Sequence, residues 1–183
     1  DTYDPAANFA YGLASAATNN IVDAKDAFGI ASASVEFRTA SYTELSKLFL
    51  REAMPEQSLG YAQKAIVANS KNLEALQLIA LIYRIQGDKV KAQQTLSKIS
   101  EVNPLSHFVE AEGFISNTTK SFGESIRQEM KEEVFIDLAD WYQNVNQYSD
   151  ALVILKQSPQ QAEVLFWQAY LMSKISDPSF GQV

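Results

Sequence analysis

The fold is decided by residues 41–104, which read SYTELSKLFLREAMPEQSLGYAQKAIVANSKNLEALQLIALIYRIQGDKVKAQQTLSKISEVNP. One pattern of residue types occurs twice there, and the second copy follows the first by 34 residues. Large apolar residues recur at helical spacing, so that Tyr42 and Leu45 are matched by Leu76 and Ile79. Small residues lie between them, because a small side chain is needed where two helices cross closely. The matched small residues are Ser46 with Ala80 and Ser58 with Ala92.

This 34-residue period resembles the tetratricopeptide repeat (TPR), a helix–turn–helix unit that stacks into superhelices. Gly87 and Asp88 suit the turn between two paired helices, because glycine accepts a positive φ and aspartate caps the next helix. Pro104 ends the second helix, since proline lacks an N–H. We therefore predict an all-α fold, an α-α superhelix of TPR-like helix–turn–helix repeats with about ten or eleven helices.

Weaker copies of the pattern cover the rest of the chain. Ala24 lies 34 residues before Ser58, and Phe135 restarts the pattern after an interruption. Thr39 or Ser41 is predicted to cap the helix that carries Tyr42, and Ser121 a short helix that ends at Met130. We predict a single domain spanning 1–183, with repeats at about 5–37, 39–72, 73–104 and 132–159, an irregular unit at 105–130 and a terminal helix at 161–174.

Composition excludes several classes of protein. The net charge of −7 disfavours nucleic acid, whose phosphates are bound by clustered lysine and arginine. The absence of cysteine excludes disulfides, thiolate chemistry and cysteine zinc sites. No apolar run approaches the roughly 18 residues of a membrane span. Because the chain begins at Asp1 without a methionine, we expect a processed protein or a piece of a longer one.

No arrangement of residues predicts catalysis, a cofactor or a metal ion, so we do not expect an enzyme. His107 is the single histidine, and its position favours a polar helix start over a catalytic base. The seven glycines are too far apart for a phosphate-binding loop. Carboxylates cluster at Glu132, Glu133, Asp137 and Asp140, which form either a solvated helix face or an acidic patch for a basic partner.

Several segments together carry a second resemblance. They are Asp4-Pro5-x-x-Asn8-Phe9, Phe37-Arg38-x-Ala40-x-Tyr42, Asn103-Pro104-Leu105-x-His107-Phe108 and Phe166-Trp167-x-Ala169-Tyr170-Leu171. These segments resemble the TPR half of a family of large bacterial proteins. In that family the helices follow a β-rich domain of unassigned function, similar to carbohydrate-handling sandwich folds. The resemblance implies that this chain is the scaffold portion of a longer bacterial protein connected with sugar metabolism.

The first helices of stacked TPR units line a concave wall, so we predict a non-catalytic protein–protein interaction scaffold. The partner would be a protein, a peptide or another domain of the same parent protein. The helical register places candidate binding residues on this wall. They are Thr43, Lys47, Arg51, Gln77, Leu81, Arg84, Glu112, Asp137, Asp140 and Asn144.

Two alternatives remain open. Trp141 beside Asp140 would suit an accessory module of a carbohydrate-active enzyme, if two acids lie about 5–10 Å apart in a deep pocket. The chain would otherwise be a homo-oligomerisation module, because Phe166, Trp167 and Met172 make the terminal helix apolar nearly all round. A terminal repeat needs a polar outer face, so a second copy covering this helix would give a homodimer.

Overall fold

The computed structural model describes residues 2–119, 122–124, 126 and 131–176. Ten helices form this described part, which contains no strand, so the predicted all-α class is confirmed. The helices are α1 (Pro5–Ala17), α2 (Ile21–Ala31), α3 (Val35–Arg51), α4 (Pro55–Ala68), α5 (Leu73–Ile85), α6 (Lys89–Val102), α7 (His107–Ile115), α8 (Lys131–Gln143), α9 (Tyr148–Leu155) and α10 (Ala162–Ser176). The chain divides into two compact units, Asp1–Val102 and Asn103–Val183.

In the first unit the 34-residue period extends to the backbone. The helix pairs α1–α2, α3–α4 and α5–α6 each contain a residue with positive φ in the connecting turn. These residues are Asn19 (φ 60°), Ala53 (φ 55°) and Gly87 (φ 77°), and they are spaced by 34. After each of them an N–H closes the turn onto a carbonyl of the first helix, as from Met54 to Phe49 at 2.9 Å. The repeated turn gives each hairpin the same direction of chain reversal.

Paired helices cross at the small residues that the sequence analysis identified. Ser46 and Ser58 are fully buried where α3 meets α4. The Ser46 hydroxyl donates to the carbonyl of Ser58 at 2.9 Å, and the Ser58 hydroxyl donates to the carbonyl of Ser46 at 2.7 Å. Both buried hydroxyls are thereby satisfied, which avoids the penalty of an unpaired polar group. Ala80 and Ala92 occupy the same positions in the next repeat and are buried as well.

Aromatic and aliphatic side chains fill the space between the repeats. A buried cluster of Ala24, Phe28, Leu45 and Leu48 joins the first two repeats. Phe49 from α3 stacks on Tyr61 from α4 with ring centroids 5.2 Å apart. The rings of Tyr42, Phe49 and Tyr61 pack against this cluster and remain partly exposed.

One predicted helix start is wrong. The helix that carries Tyr42 begins at Val35, and Ser41 is buried inside it and caps nothing. The additional turn is stabilised by contacts with the preceding repeat, since Phe37 lies 5.4 Å from Phe9 between ring centroids. Arg38 also donates to the carbonyls of Ser32 and Ala33 just beyond the end of α2. The predicted boundary between the first two repeats therefore falls within α3.

The second unit combines one further hairpin with two flanking helices. Helices α8 and α9 form the hairpin, which turns at Asn146 with φ 60°, and both α7 and α10 pack against it. Phe108 of α7 lies 5.9 Å from the buried Tyr142 between ring centroids. The short helix predicted from Ser121 to Met130 lies largely outside the described residues. The terminal helix predicted at 161–174 is α10.

Replacing Ala53 by glycine is expected to stabilise the chain. A side chain at positive φ costs about 1–2 kcal/mol, and glycine removes that strain while adding a smaller entropic cost in the unfolded chain. We expect Ala53→Gly to raise the free energy of unfolding by about 0.5–1 kcal/mol. Ala40→Gly, on the exposed face of α3, should instead lower it by about 1 kcal/mol. Urea unfolding of both variants checks this, and a loss of stability in Ala53→Gly would contradict it.

Candidate protein-binding surface

The two sides of the first unit differ in how closely its helices approach one another. The first helices, α1, α3 and α5, contact each other in sequence order and form one continuous wall. The second helices α2, α4 and α6 make no comparable contacts with one another. Open grooves lie between the second helices instead. Among the candidate binding residues, those of the first unit belong to these helices, namely Thr43, Lys47 and Arg51 of α3 and Gln77, Leu81 and Arg84 of α5.

The α3 candidates join successive repeats. Lys47 lies 2.5 Å from a carboxylate oxygen of Glu44 and 2.9 Å from one of Glu74 at the start of α5. Thr43 is buried and accepts a hydrogen bond from Asn72 at 3.1 Å. These contacts tie α3 to the beginning of α5.

Two further side-chain contacts join the end of α3 to the first repeat. Arg51 donates to Asn19 in the α1–α2 turn at 3.3 Å. Lys25 of α2 forms an ion pair with Glu52 at the end of α3. Lys47 and Arg51, predicted to bind a partner, are therefore also inter-repeat contacts.

Burial and ion pairing shift the pKa values of Glu44 and Lys47. Burial raises the pKa of Glu44 above its usual 4.5, and the opposing effect of Lys47 is not large enough to cancel the rise. Burial by itself would lower the pKa of Lys47, but Glu44 and Glu74 outweigh it and raise that pKa above 10.5. A carboxyl group with a raised pKa stabilises the fold at low pH, and that contribution is lost as the pH rises through its folded pKa. Lys47 offsets this loss at neutral pH, because its own contribution persists into the alkaline range.

Replacing Lys47 should show how the burial of Glu44 and its ion pair with Lys47 act on its pKa in opposite directions. In Lys47→Met the burial of Glu44 remains while its ion pair is lost, so we expect the pKa of Glu44 to rise further. Carbon-detected NMR titration of the glutamate carboxyls measures this pKa directly. Lys71→Met is the control, because Lys71 is exposed in the α4–α5 turn and should leave Glu44 unchanged. An unchanged Glu44 midpoint in Lys47→Met would contradict the assignment.

The remaining candidates fall into an accessible and a buried group. Gln77 and Arg84 of α5 are partly exposed, whereas Leu81 between them is fully buried and belongs to the core. Glu112 of α7 is also buried, where the Tyr142 hydroxyl donates to it at 2.7 Å. Thr43, Leu81 and Glu112 are therefore corrected from binding residues to packing residues. Each of the three side chains is buried, so that part of its helix face is closed to a partner.

In the second unit the accessible candidates lie on α8 and in the turn directly after it. Asp137, Asp140 and Asn144 are exposed. Asp140 accepts hydrogen bonds from Gln143 at 2.7 Å and from Asn144 at 2.8 Å, and these hold its carboxylate in place. This arrangement presents negative charge to solvent. It suits a basic group on a partner, since opposite charges steer association.

The single histidine lies at a helix start, and the described residues form no metal site. His107 is the first residue of α7, which confirms its position at a helix start. Within the described residues no three histidine or carboxylate side chains are placed to hold a metal ion. No helix in that part of the chain is both long and apolar enough to cross a bilayer.

The sequence analysis missed two grooves on the second-helix side. Groove A, about 800 Å³, lies between α2 and α4 over α3. Groove B, about 620 Å³, lies between α4 and α6 over α5. Its lining is Gln63, Ile66, Val67, Ser70, Leu76, Ile79, Tyr83, Lys91, Gln94, Thr95, Lys98, Glu101 and Val102. The signal that could have found them is the period itself, because equivalent positions of successive repeats line both grooves.

Comparison with solved structures identifies the architecture. PilF of Pseudomonas aeruginosa is 21% identical, with a TM-score of 0.57 over 96% of this chain and 86% of its own. TTC0263, a thermophilic TPR protein of Thermus thermophilus, is 14% identical, with a TM-score of 0.61 over 93% of this chain and 100% of its own. The fold is TPR-like.

A third TPR-like match is the MamA protein, 11% identical with a TM-score of 0.55 over 98% of this chain and 96% of its own. No protein-family model and no curated protein sequence matches the chain. The predicted fold class, an α-α superhelix of TPR-like repeats, is confirmed. At these identities the similarity concerns the fold alone.

Proposed function

We propose that this chain is a non-catalytic protein–protein interaction scaffold and the TPR portion of a longer bacterial protein. Its partner is a protein, a peptide or another domain of that parent protein. The observation that supports this proposal is the wall of adjacent first helices in the first unit. Because each helix belongs to a different repeat, one partner meets side chains from several repeats at once.

The accessible candidates define two patches for such a partner. Patch 1 is Gln77 and Arg84 on α5, and patch 2 is Asp137 and Asp140 on α8 with Asn144 in the turn after it. Lys47 and Arg51 border patch 1 in sequence register. Lys47 is already paired with Glu44 and Glu74, and Arg51 donates a hydrogen bond to Asn19. Contacts that must be broken before binding add a cost, so we expect Lys47 and Arg51 to contribute less binding energy than their charges alone would give.

Charge reversal at each patch tests the scaffold. We expect Gln77→Glu with Arg84→Glu, or Asp137→Lys with Asp140→Lys, to release a partner that co-purifies with the parent protein. Reversing a contact from attraction to repulsion weakens binding by about tenfold or more. The measurement is affinity purification from the native host with quantitative mass spectrometry of the bound proteins.

The matched control reverses two carboxylates outside both patches, Asp26→Lys with Glu56→Lys. Circular dichroism should show unchanged helix content in every variant. Retention of the same bound proteins by both patch variants would refute the predicted wall.

A second candidate function is homodimerisation through α10. Val164, Gln168 and Leu171 face α8 and α9 and are buried. The opposite side stays apolar and open, with Phe166 65% exposed and Met172 46% exposed. A helix that is apolar on its outer side is expected to be covered, and a second copy offers the same self-complementary surface.

Light scattering on the full chain tests the dimer. We expect the mass of two copies at micromolar concentration, and a single copy for Phe166→Asp, because the charge would be buried without a partner in the interface. Leu105→Asp is the control, since Leu105 is 84% exposed and lies outside α10. A single copy of the unaltered chain at every concentration would refute the dimer.

The structure lends less support to an accessory module of a carbohydrate-active enzyme. The cavity beside Asp140 holds about 10 Å³, whereas small-molecule pockets usually hold about 300–1,000 Å³. The Trp141 ring packs edge-on against Phe108 with centroids 4.7 Å apart, and it also contacts Tyr142. Trp141 is half-buried, and part of its ring is occupied by packing in the second unit.

A further inference from the structure

Grooves A and B are copies of one another. Shifting the lining of groove A by 34 residues places Gly29 on Gln63, Tyr42 on Leu76 and Lys64 on Lys98, all of which line groove B. The two grooves also share a border, because Gln63 and Val67 of α4 line both. The second-helix side of the first unit therefore offers one surface with a repeated shape.

The floor of each groove is apolar. In groove B it consists of Ile66, Leu76 and Ile79, with the partly exposed ring of Tyr83. Val67 stands between the grooves with 89% of its surface exposed. Aliphatic side chains that remain open to solvent next to a groove favour binding of other apolar side chains.

The rims carry positive charge although the whole chain is acidic. Four cations line the two grooves, namely Arg38, Lys64, Lys91 and Lys98, against the single carboxylate Glu101. The net charge of the chain is −7. Lys64 lies 4.6 Å above the Tyr61 ring, which holds its amino group at the edge of groove A. Lys98 forms no ion pair with any described residue.

We propose that grooves A and B together bind an acidic segment of a partner protein. Its apolar side chains enter the two grooves on either side of Val67, and its carboxylates meet Lys64 and Lys98. The proposal rests on the scaffold function and adds a second surface, distinct from the wall of first helices. An aliphatic floor with one matched lysine per repeat suits alternating apolar and acidic residues better than the closely spaced phosphates of a nucleic acid.

Peptide display on the full chain tests this surface. A random peptide library is selected on the unaltered protein, and the affinities of enriched peptides are measured by fluorescence anisotropy. We expect enriched peptides to be acidic and to contain aliphatic or aromatic residues. Lys64→Glu with Lys98→Glu should weaken their binding by about tenfold, because two attractive contacts become repulsive.

Two matched controls separate the surface from general effects. Lys71→Glu with Lys89→Glu changes the net charge equally at exposed positions outside both grooves, and should leave binding unchanged. Val67→Ser should weaken binding, whereas Val22→Ser, at another exposed valine, should not. Circular dichroism confirms that the helices remain in each variant.

Several results would overturn the proposal. They are neutral or basic enriched peptides, peptides that bind the groove variants as tightly as the unaltered chain, the absence of any enriched peptide, or preferential binding of a single-stranded oligonucleotide. The scaffold function is tested separately. If patch 1 or patch 2 variants release a natural partner while the Lys64 and Lys98 variant yields any of those results, the scaffold stands and the groove proposal fails.

Discussion

The structure depends on the close crossing of two paired helices at a pair of small residues. The pairs are Gly12 with Ala24, Ser46 with Ser58, Ala80 with Ala92, and Ala139 with Ala151, and all eight residues are buried. A larger side chain at such a crossing would force the helices apart, as the space around Gly12 illustrates. A Cβ atom built there would lie 2.8 Å from the Phe28 ring. On α10 a larger residue is buried against the preceding helix, because Gln168 donates to the Leu155 carbonyl at 2.9 Å and satisfies its own buried amide.

Crossings at small residues hold each hairpin together, whereas polar side-chain contacts align successive hairpins. Lys47 with Glu74, Asn72 with Thr43, and Arg51 with Asn19 all join residues about one repeat apart in the chain. These contacts lie where the first helices approach one another, so the same side has both close packing and matched charges. The second helices diverge, and grooves A and B are the consequence of that divergence.

Side-chain size at a fixed period was sufficient to predict the class, the helix pairs and the small residues at their crossings. It was insufficient for the start of α3, because the additional turn depends on Phe37 meeting Phe9 in another repeat. The positive φ of Ala53 was missed for a related reason, since alanine by itself does not signal a left-handed turn. For the candidate wall, the register assigned residues to a helix face but could not show which part of that face a neighbouring helix covers. Leu81 and Thr43 were misassigned in this way.

The two surfaces differ in how freely their residues can change. On the wall of first helices, Lys47 contributes both to a candidate binding face and to the contact between repeats, so a substitution that alters recognition also alters stability. On the groove side, Lys64, Val67 and Lys98 are exposed, and substitutions at exposed positions usually change stability by less than about 0.5 kcal/mol. Recognition at the grooves can therefore vary while the stack of hairpins stays intact. Under the proposed function, one binding face stays constant while the other adapts to different acidic segments.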